Sequence, residues 1–253
     1  MNSDKSDLQE YFRNLAKKYT VTVPKTWRLN FYTGTENNFC SVWGMSGVVQ
    51  EQEFVPFFPW RYERRFFELK QIVETKTIEN VVLCRFSHIA DGSVINLQSI
   101  LYREFDLLEW ITNTKIISCF FSVYENRFAN VLVRLSDGSI ASVEAGTTLP
   151  SGQKTLDRHE LIARRGVTSD RVVDTHIPQY SVYLFDKTGV QTYTDTDAEL
   201  FGLEIDETNI VRAAFDFAKQ PESKRQEIIV SFLEQNRHLV TLTKQALSSE
   251  TQQ

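Results

Sequence analysis

The feature that most constrains the fold is a series of consecutive strand-like segments in the second half of the chain. Apolar and polar residues alternate in IISCFFSVY, ANVLVRL and IASVEAG, and HELIARR, RVVDTHI and YSVYLF continue the pattern to residue 185. The second and third segments are joined across Ser136-Asp137-Gly138-Ser139. Because Asp-Gly tolerates the positive backbone angles of a tight turn, this junction predicts a β-hairpin. About six consecutive strands favour a largely antiparallel sheet.

Helical patterns lie on both sides of this series of strands in the sequence. In residues 96–112 apolar side chains recur at spacings of three and four, which predicts a helix with one buried face. FVPFF predicts a strand and Pro59 suits the first turn of the helix after it. The other predicted elements are a strand at 78–90, helices at 5–19, 206–219 and 222–247, and short strands at TVTV and LNFY. The order predicts an α+β fold, with a largely antiparallel mixed sheet covered by helices on one face.

The character of the sequence changes near residue 50. We therefore expect an N-terminal helix and irregular segment at 1–53, one α+β domain at 54–247 and a frayed polar tail at 248–253.

Charge and composition exclude several classes of protein. The net charge is -5 with both signs interleaved, so no basic run tracks a phosphate backbone and nucleic acid is not an expected partner. No apolar run approaches the ~20 residues of a membrane span, and the polar first thirty residues do not suit a signal peptide, so we expect a cytoplasmic protein. Cys40, Cys84 and Cys119 are an odd, scattered set, which predicts neither a disulfide framework nor a zinc site.

Several phrases resemble the C-terminal domain of the glucose-fructose oxidoreductase, inositol dehydrogenase and rhizopine-catabolism (Gfo/Idh/MocA) family. FPWRY at 58–62 is similar to the family's strand-end phrase. LQSILYREFDLLEW at 97–110 resembles its active-site helix, often written LDLGIHDLDLLRWL. The paired strands at 129–146 and the strand with its glycine turn at 158–170 are also similar. The likeness covers roughly residues 54–247, and it implies that domain's fold and pairing of subunits through an open sheet face.

Two parts of the family's cofactor machinery have no match in this sequence. The family's dinucleotide-binding domain carries a glycine-rich turn, whereas none of the ten glycines here forms GxGxxG. Gly44-Met45-Ser46-Gly47 comes nearest and is better read as an ordinary turn. The family's catalytic Lys lies in a Glu-Lys-Pro phrase that this sequence lacks, and Lys25 is more simply a surface residue. We therefore expect no N-terminal nucleotide domain and no nicotinamide cofactor.

The family's acid-base pair also has no counterpart. Aligning Asp106 with the second Asp of HDLD places Ser99 and Arg103 where the family has Asp and His. Ser99 needs an activating partner and Arg103 stays protonated, so we expect these two positions not to act as an acid-base pair. Arg103 can instead bind an anion, or form a helix-surface ion pair with Glu104 or Glu109. Arg61 and His176 are further candidate ligand contacts, and the four scattered histidines predict no metal site.

Three hypotheses follow. The first is a diverged, non-catalytic binding or assembly protein that forms a homodimer, or a heteromer with a full-length relative. The second is the substrate-side subunit of an NAD(P)-dependent sugar oxidoreductase whose nucleotide domain lies on another chain. The third is a sensor of a small anionic ligand that uses the old sugar pocket, with Arg103 as its anchor.

Overall fold

The computed structural model describes residues 5–25, 27–32, 45–50, 53–56, 58–93, 95–170, 181–194 and 202–248. The chain divides into two units. The first combines residues 1–63 with 196–238, and the second combines 64–195 with 239–253. The expected domain limits at residues 53 and 247 stay predictions.

An eight-stranded sheet forms the second unit. Its strands are β4 (Val81–Asp91), β5 (Ile116–Tyr124), β6 (Phe128–Leu135), β7 (Ile140–Leu149), β8 (Leu156–Ala163), β9 (Gly166–Ser169), β10 (Ser181–Asp186) and β11 (Gly189–Thr194). They lie in the order β11-β10-β9-β8-β4-β7-β6-β5. The pair β4–β7 is parallel and the other described pairs of this sheet are antiparallel. The predicted α+β class with a mixed, largely antiparallel sheet is confirmed.

The hairpin between β6 and β7 is the one that the Asp-Gly pair predicted. The amide of Gly138 donates to the carbonyl of Leu135 at 3.0 Å, and the carboxylate of Asp137 accepts from the Ser139 amide at 2.9 Å. Gly138 has φ of 89°, a backbone angle that side chains with a Cβ rarely adopt.

Replacing Gly138 by Ala is expected to lower the free energy of unfolding by about 1 kcal/mol, because alanine is strained at this positive φ. Nothing lies within 4 Å of a Cβ added there, so the cost arises from the backbone rather than from a clash. Gly138→Asn is the matched control, since asparagine tolerates left-handed angles and should lose less. Urea unfolding of the three proteins measures the difference, and an equal loss for both variants would contradict this account.

Two helices lie on one face of this sheet. Helix α2 (Arg64–Glu74) packs on α3 (Leu97–Thr112), and α3 contacts β4 and β7. The side chain of Asn96 caps α3 by accepting from the Ser99 amide at 2.8 Å, and Asn113 ends it in a left-handed conformation. Strand alternation supplies the other half of this core, with Val131 and Val133 of β6 and Val143 of β7 all buried.

The first unit contains a small sheet and helices. Its elements are α1 (Lys5–Lys18), β1 (Arg28–Tyr32), β2 (Met45–Gln50), β3 (Glu53–Pro56), a 3₁₀ helix (Pro59–Tyr62), α4 (Ile205–Lys219) and the start of α5 (Glu222–Ser248). The three strands pair antiparallel in chain order. The core is formed by Phe12 and Trp27 against Ala213, Ala214 and Phe217 of α4.

Several local predictions in the opening sixty residues were wrong. TVTV at residues 20–23 is not a strand, since Thr20 lies in a turn and residues 21–23 have no regular structure. The helix starting at Pro59 is a separate 3₁₀ turn, because Glu63 is extended and interrupts the chain before α2. Gly47 lies within β2 opposite Asn30 and Pro56, so its phrase is part of a strand rather than a turn. Gly44 and the predicted strand RVVDTHI lie outside the described residues.

None of the helices in the described ranges is long and apolar enough to cross a membrane.

Candidate functional site

Seven ionisable side chains of the second unit meet next to the eight-stranded sheet. We call them the ion cluster: Arg65, His88, Arg103, Glu104, Asp157, His159 and Asp170. Asp157 and His159 are two residues apart on β8, so alternation points both side chains to one face. The β4–β8 register places His88 opposite Asp157 and Phe86 opposite His159. Arg65 comes from α2, Arg103 and Glu104 from α3, and Asp170 directly follows β9.

Asp157 joins the two arginines. Arg103 donates to it as a fork, from Nη2 to Oδ2 at 2.8 Å and from Nη1 to Oδ1 at 3.2 Å. Arg65 donates from Nη2 to the same Oδ2, and from Nη1 to Oδ2 of Asp170 at 2.7 Å. Two helices are therefore tied to β8 and to the residue after β9 by charge-assisted hydrogen bonds.

His159 links the other two carboxylates. Its Nε2 lies 2.9 Å from Oε2 of Glu104, and its Nδ1 lies 2.8 Å from Oδ2 of Asp170. Burial by itself lowers the pKa of His159, but the carboxylates of Asp170, Glu104 and Asp157 raise it by more, and the pKa comes to about 9. The ring also makes edge contacts with Phe66 and Phe86, at centroid distances of 4.6 and 4.7 Å.

Opposite charges are paired within the ion cluster. Burial raises the pKa of Asp157, but Arg103 and Arg65 outweigh this and hold it well below its usual range. The pKa of Glu104 is also lowered, since Arg103 and His159 together outweigh the opposing effect of burial. Three carboxylates thus face two guanidinium groups and the imidazolium of His159. Such compensation is what allows charges to stay buried, and Asp157, with 16% of its side chain exposed, is the most accessible member.

Ser99 and Arg103 lie one turn apart on α3, as the resemblance requires, but Arg103 is not on a helix surface. Only 5% of its side chain is exposed. The expected ion pair with Glu104 is present, and it is buried rather than solvated because β8 covers this side of the helix with Asp157. Glu109 instead accepts from Lys115 Nζ at 2.9 Å and from the Ile116 amide at 2.8 Å.

The other two candidate contacts are not part of this cluster. Arg61 lies in the 3₁₀ helix of the first unit, with its guanidinium carbon 4.2 Å from the centre of the Phe58 ring. His176 lies outside the described residues. Both assignments as ligand contacts stay predictions.

Sequence reasoning missed most of the ion cluster because its members are spread from residue 65 to residue 170. One local signal was available. In Asp157-Arg158-His159-Glu160 the alternation of a strand places Asp157 and His159 together, and the prediction that His159 and Glu160 occupy opposite faces agrees with the burial of His159. No local pattern in α2 or α3 indicates that Arg65 and Arg103 share one carboxylate.

Three cluster members also form a set of metal-type donors. His88, Glu104 and Asp157 each offer one ligand atom, and these atoms lie within 4.8 Å of one another. Imidazole nitrogen and carboxylate oxygen are donor atoms that bind zinc and similar ions in proteins.

No protein-family model matches the sequence, and no curated protein matches it. Solved structures do. An oxidoreductase domain protein from Kribbella flavida matches with a TM-score of 0.55 and 16% identity over 76% of this chain and 64% of its own. Myo-inositol 2-dehydrogenase from Lactobacillus plantarum matches with a TM-score of 0.52 and 16% identity over 76% of this chain and 61% of its own. Levoglucosan dehydrogenase, in complex with NADH and levoglucosan, matches with a TM-score of 0.56 and 14% identity over 77% of this chain and 63% of its own.

The chain shares its fold with these oxidoreductases. They are of the Gfo/Idh/MocA type, so the fold that the sequence phrases implied is the fold that is found. At these identities the likeness concerns the fold alone. The match spans 61 to 64% of the length of those three chains, so their activities apply to this protein only as proposals.

Proposed function

We propose that this chain is a diverged, non-catalytic protein of the Gfo/Idh/MocA type that acts as a binding or assembly module. The observation that carries the proposal is the environment of Arg103. It occupies the position that the resemblance gives to the proton-handling His, and its guanidinium is bound by Asp157, Glu104 and His88 of its own unit.

The chemistry of this position argues against acid-base catalysis. A guanidinium stays protonated at any working pH, so Arg103 cannot accept a proton from a sugar hydroxyl. His159 carries a proton, but it is fully buried and both ring nitrogens face carboxylates of the ion cluster. An anionic ligand of Arg103 would have to displace Asp157, which favours the assembly role over the sensor role.

The exposed face of the eight-stranded sheet supports the assembly role. Phe120 and Leu132 lie opposite each other on β5 and β6 and are 71% and 58% exposed, and Ile140 on β7 is 53% exposed. Adjoining apolar side chains at this exposure are typical of a protein–protein contact. We propose that a second copy of the chain covers this face in a two-fold dimer.

The dimer is tested by sedimentation velocity on the wild type and on a Phe120→Lys, Leu132→Lys double variant. The wild type is expected to sediment as a dimer, and the double variant as a folded monomer, because two lysines in each copy would meet across the axis. Phe67→Lys is the matched control. Phe67 is 52% exposed on α2, and its replacement should leave the dimer intact. A monomeric wild type, or a double variant that stays dimeric, contradicts this proposal.

The non-catalytic role is tested by titrating the purified chain with NADH and NADPH and following nucleotide fluorescence. We expect no saturable binding by the chain alone. Saturable binding would contradict the proposal directly. Oxidation of a sugar that appears only on mixing with a separate nucleotide-binding chain would favour the subunit hypothesis instead.

A further inference from the structure

One nitrogen of Arg103 lies among the three metal-type donors of the ion cluster. Nη1 of Arg103 is 3.1 Å from Nδ1 of His88 and 3.2 Å from Oδ1 of Asp157, and it also donates to Oε1 of Glu104. A cationic group therefore contacts all three donor residues at once, in the way that a bound metal ion would.

The spacing of the donors suits a small divalent cation. Nδ1 of His88 lies 3.2 Å from Oδ1 of Asp157 and 3.8 Å from Oε1 of Glu104. Tetrahedral zinc with bonds of about 2.0–2.2 Å holds its donors about 3.4 Å apart. The two spacings from His88 are close to this value and the donor atoms all lie within 4.8 Å of one another, so a metal ion could draw them together, with water completing its coordination.

One tautomer of the His88 imidazole is oriented as a ligand. Nδ1 of His88 lies 3.1 Å from Nη1 of Arg103 and 3.2 Å from Oδ1 of Asp157. A guanidinium has hydrogen-bond donors and no acceptor, so in the tautomer that bonds to Arg103 this nitrogen accepts. In that tautomer the lone pair of Nδ1 points to the position of Nη1. A metal ion at that position would meet the same lone pair.

The charge balance explains why the guanidinium and a metal ion are alternatives. With Arg103 present, its guanidinium pairs with the carboxylates of Glu104 and Asp157. Removing the Arg103 side chain takes one cation away from these two carboxylates beside His88, and leaves the space that the guanidinium filled. A dication is the compact group that supplies both charge and coordination there.

We propose that His88, Glu104 and Asp157 form a three-donor site for a divalent cation of the zinc class, that Arg103 occupies its central position in this protein, and that Arg103→Ala opens it to metal. The ligand class follows from one imidazole nitrogen and two carboxylate oxygens, which suits Zn²⁺ and Co²⁺. This inference does not depend on the proposed assembly function.

The test is a Co²⁺ titration of three proteins, followed by visible d–d absorption, with bound metal counted after desalting. Arg103→Ala is expected to bind one Co²⁺ per chain, with Zn²⁺ displacing it and raising the melting temperature. The wild type and Arg65→Ala should bind none. Arg65→Ala is the matched control, because it removes one cation that also pairs with Asp157 and leaves Nη1 of Arg103 in place. Adding His88→Ala to Arg103→Ala should weaken binding by at least about tenfold and change the spectrum.

Three results would overturn the proposal: a folded Arg103→Ala protein that binds no Co²⁺, a wild type that binds it, or binding that survives loss of His88 unchanged. If Arg103→Ala does not fold without metal, it is refolded from urea with and without Zn²⁺. Recovery of the native fold that requires both Zn²⁺ and His88 supports the site, and no recovery with Zn²⁺ rejects it.

Discussion

Asp157→Asn is expected to lower the free energy of unfolding by about 3–5 kcal/mol, the usual cost of removing one partner from a buried ion pair. The carboxylate of Asp157 accepts from both Arg65 and Arg103, whose side chains are 9% and 5% exposed. The amide of asparagine keeps one acceptor oxygen but no charge, so the cluster would hold excess buried positive charge. Urea unfolding followed by circular dichroism measures the loss.

Glu160→Gln is the matched control for this loss. Glu160 lies three residues further along the same strand, and it pairs with Arg85 at 3.6 Å, where the arginine side chain is 59% exposed. A solvated pair of this kind contributes at most about 1 kcal/mol. If Asp157→Asn costs no more than Glu160→Gln, the ion cluster does not stabilise the fold as its geometry implies.

Raising the pH from 6.5 to about 9 is expected to destabilise the protein through His159. The pKa of this imidazole is about 9 in the folded chain, above its ordinary value of 6.5. A group whose pKa is raised by folding contributes stability that is complete below the unfolded value and is lost as the pH rises through the folded value. The full difference corresponds to about 3 kcal/mol. Arg65, Arg103 and His88 share the cluster, but the carboxylates of Asp170, Glu104 and Asp157 face the ring and determine the sign.

This pH dependence is measured by urea unfolding at a series of pH values. His159→Gln should remove most of the slope between pH 6.5 and about 9, whereas His238→Gln, which alters a histidine outside the cluster, should keep it. Burial raises the pKa of Cys84 to about 12 and that of Cys119 to about 11, so both thiols destabilise the fold only at higher pH, above their ordinary 9.0. A wild type whose stability is flat up to pH 9 would show that His159 is not held protonated.

The helices and the central hairpin were predictable because their signals are local. Residues 96–112 were expected to be helical, and α3 spans Leu97–Thr112. Spacing of three and four residues brings its apolar side chains together within one helix, and Asn96 caps it from the neighbouring turn. The Asp137–Gly138 turn has the same property, since the backbone angle and the side-chain bonds that define it lie within four residues.

The opening sixty residues were predicted less well for a related reason. β2 has Gly47 in its interior and little alternation, and its strand conformation depends on ladders to β1 on one side and β3 on the other. TVTV has strand-forming residues but no described partner strand. Strand propensity is a weak guide where pairing with a neighbouring strand determines the conformation, and pairing outweighed propensity in this region.

The sequence by itself determined the class of fold and the positions of the main helices, because periodicity and turn chemistry are written along the chain. The tertiary structure alone decided what Arg103 does. Its partners Asp157 and His88 are 54 and 15 residues away, and they meet it because the pairing of β4 and β8 places His88 opposite Asp157 and α3 packs on β4. Burial then turns these contacts from weak surface attractions into a closed set of compensating charges.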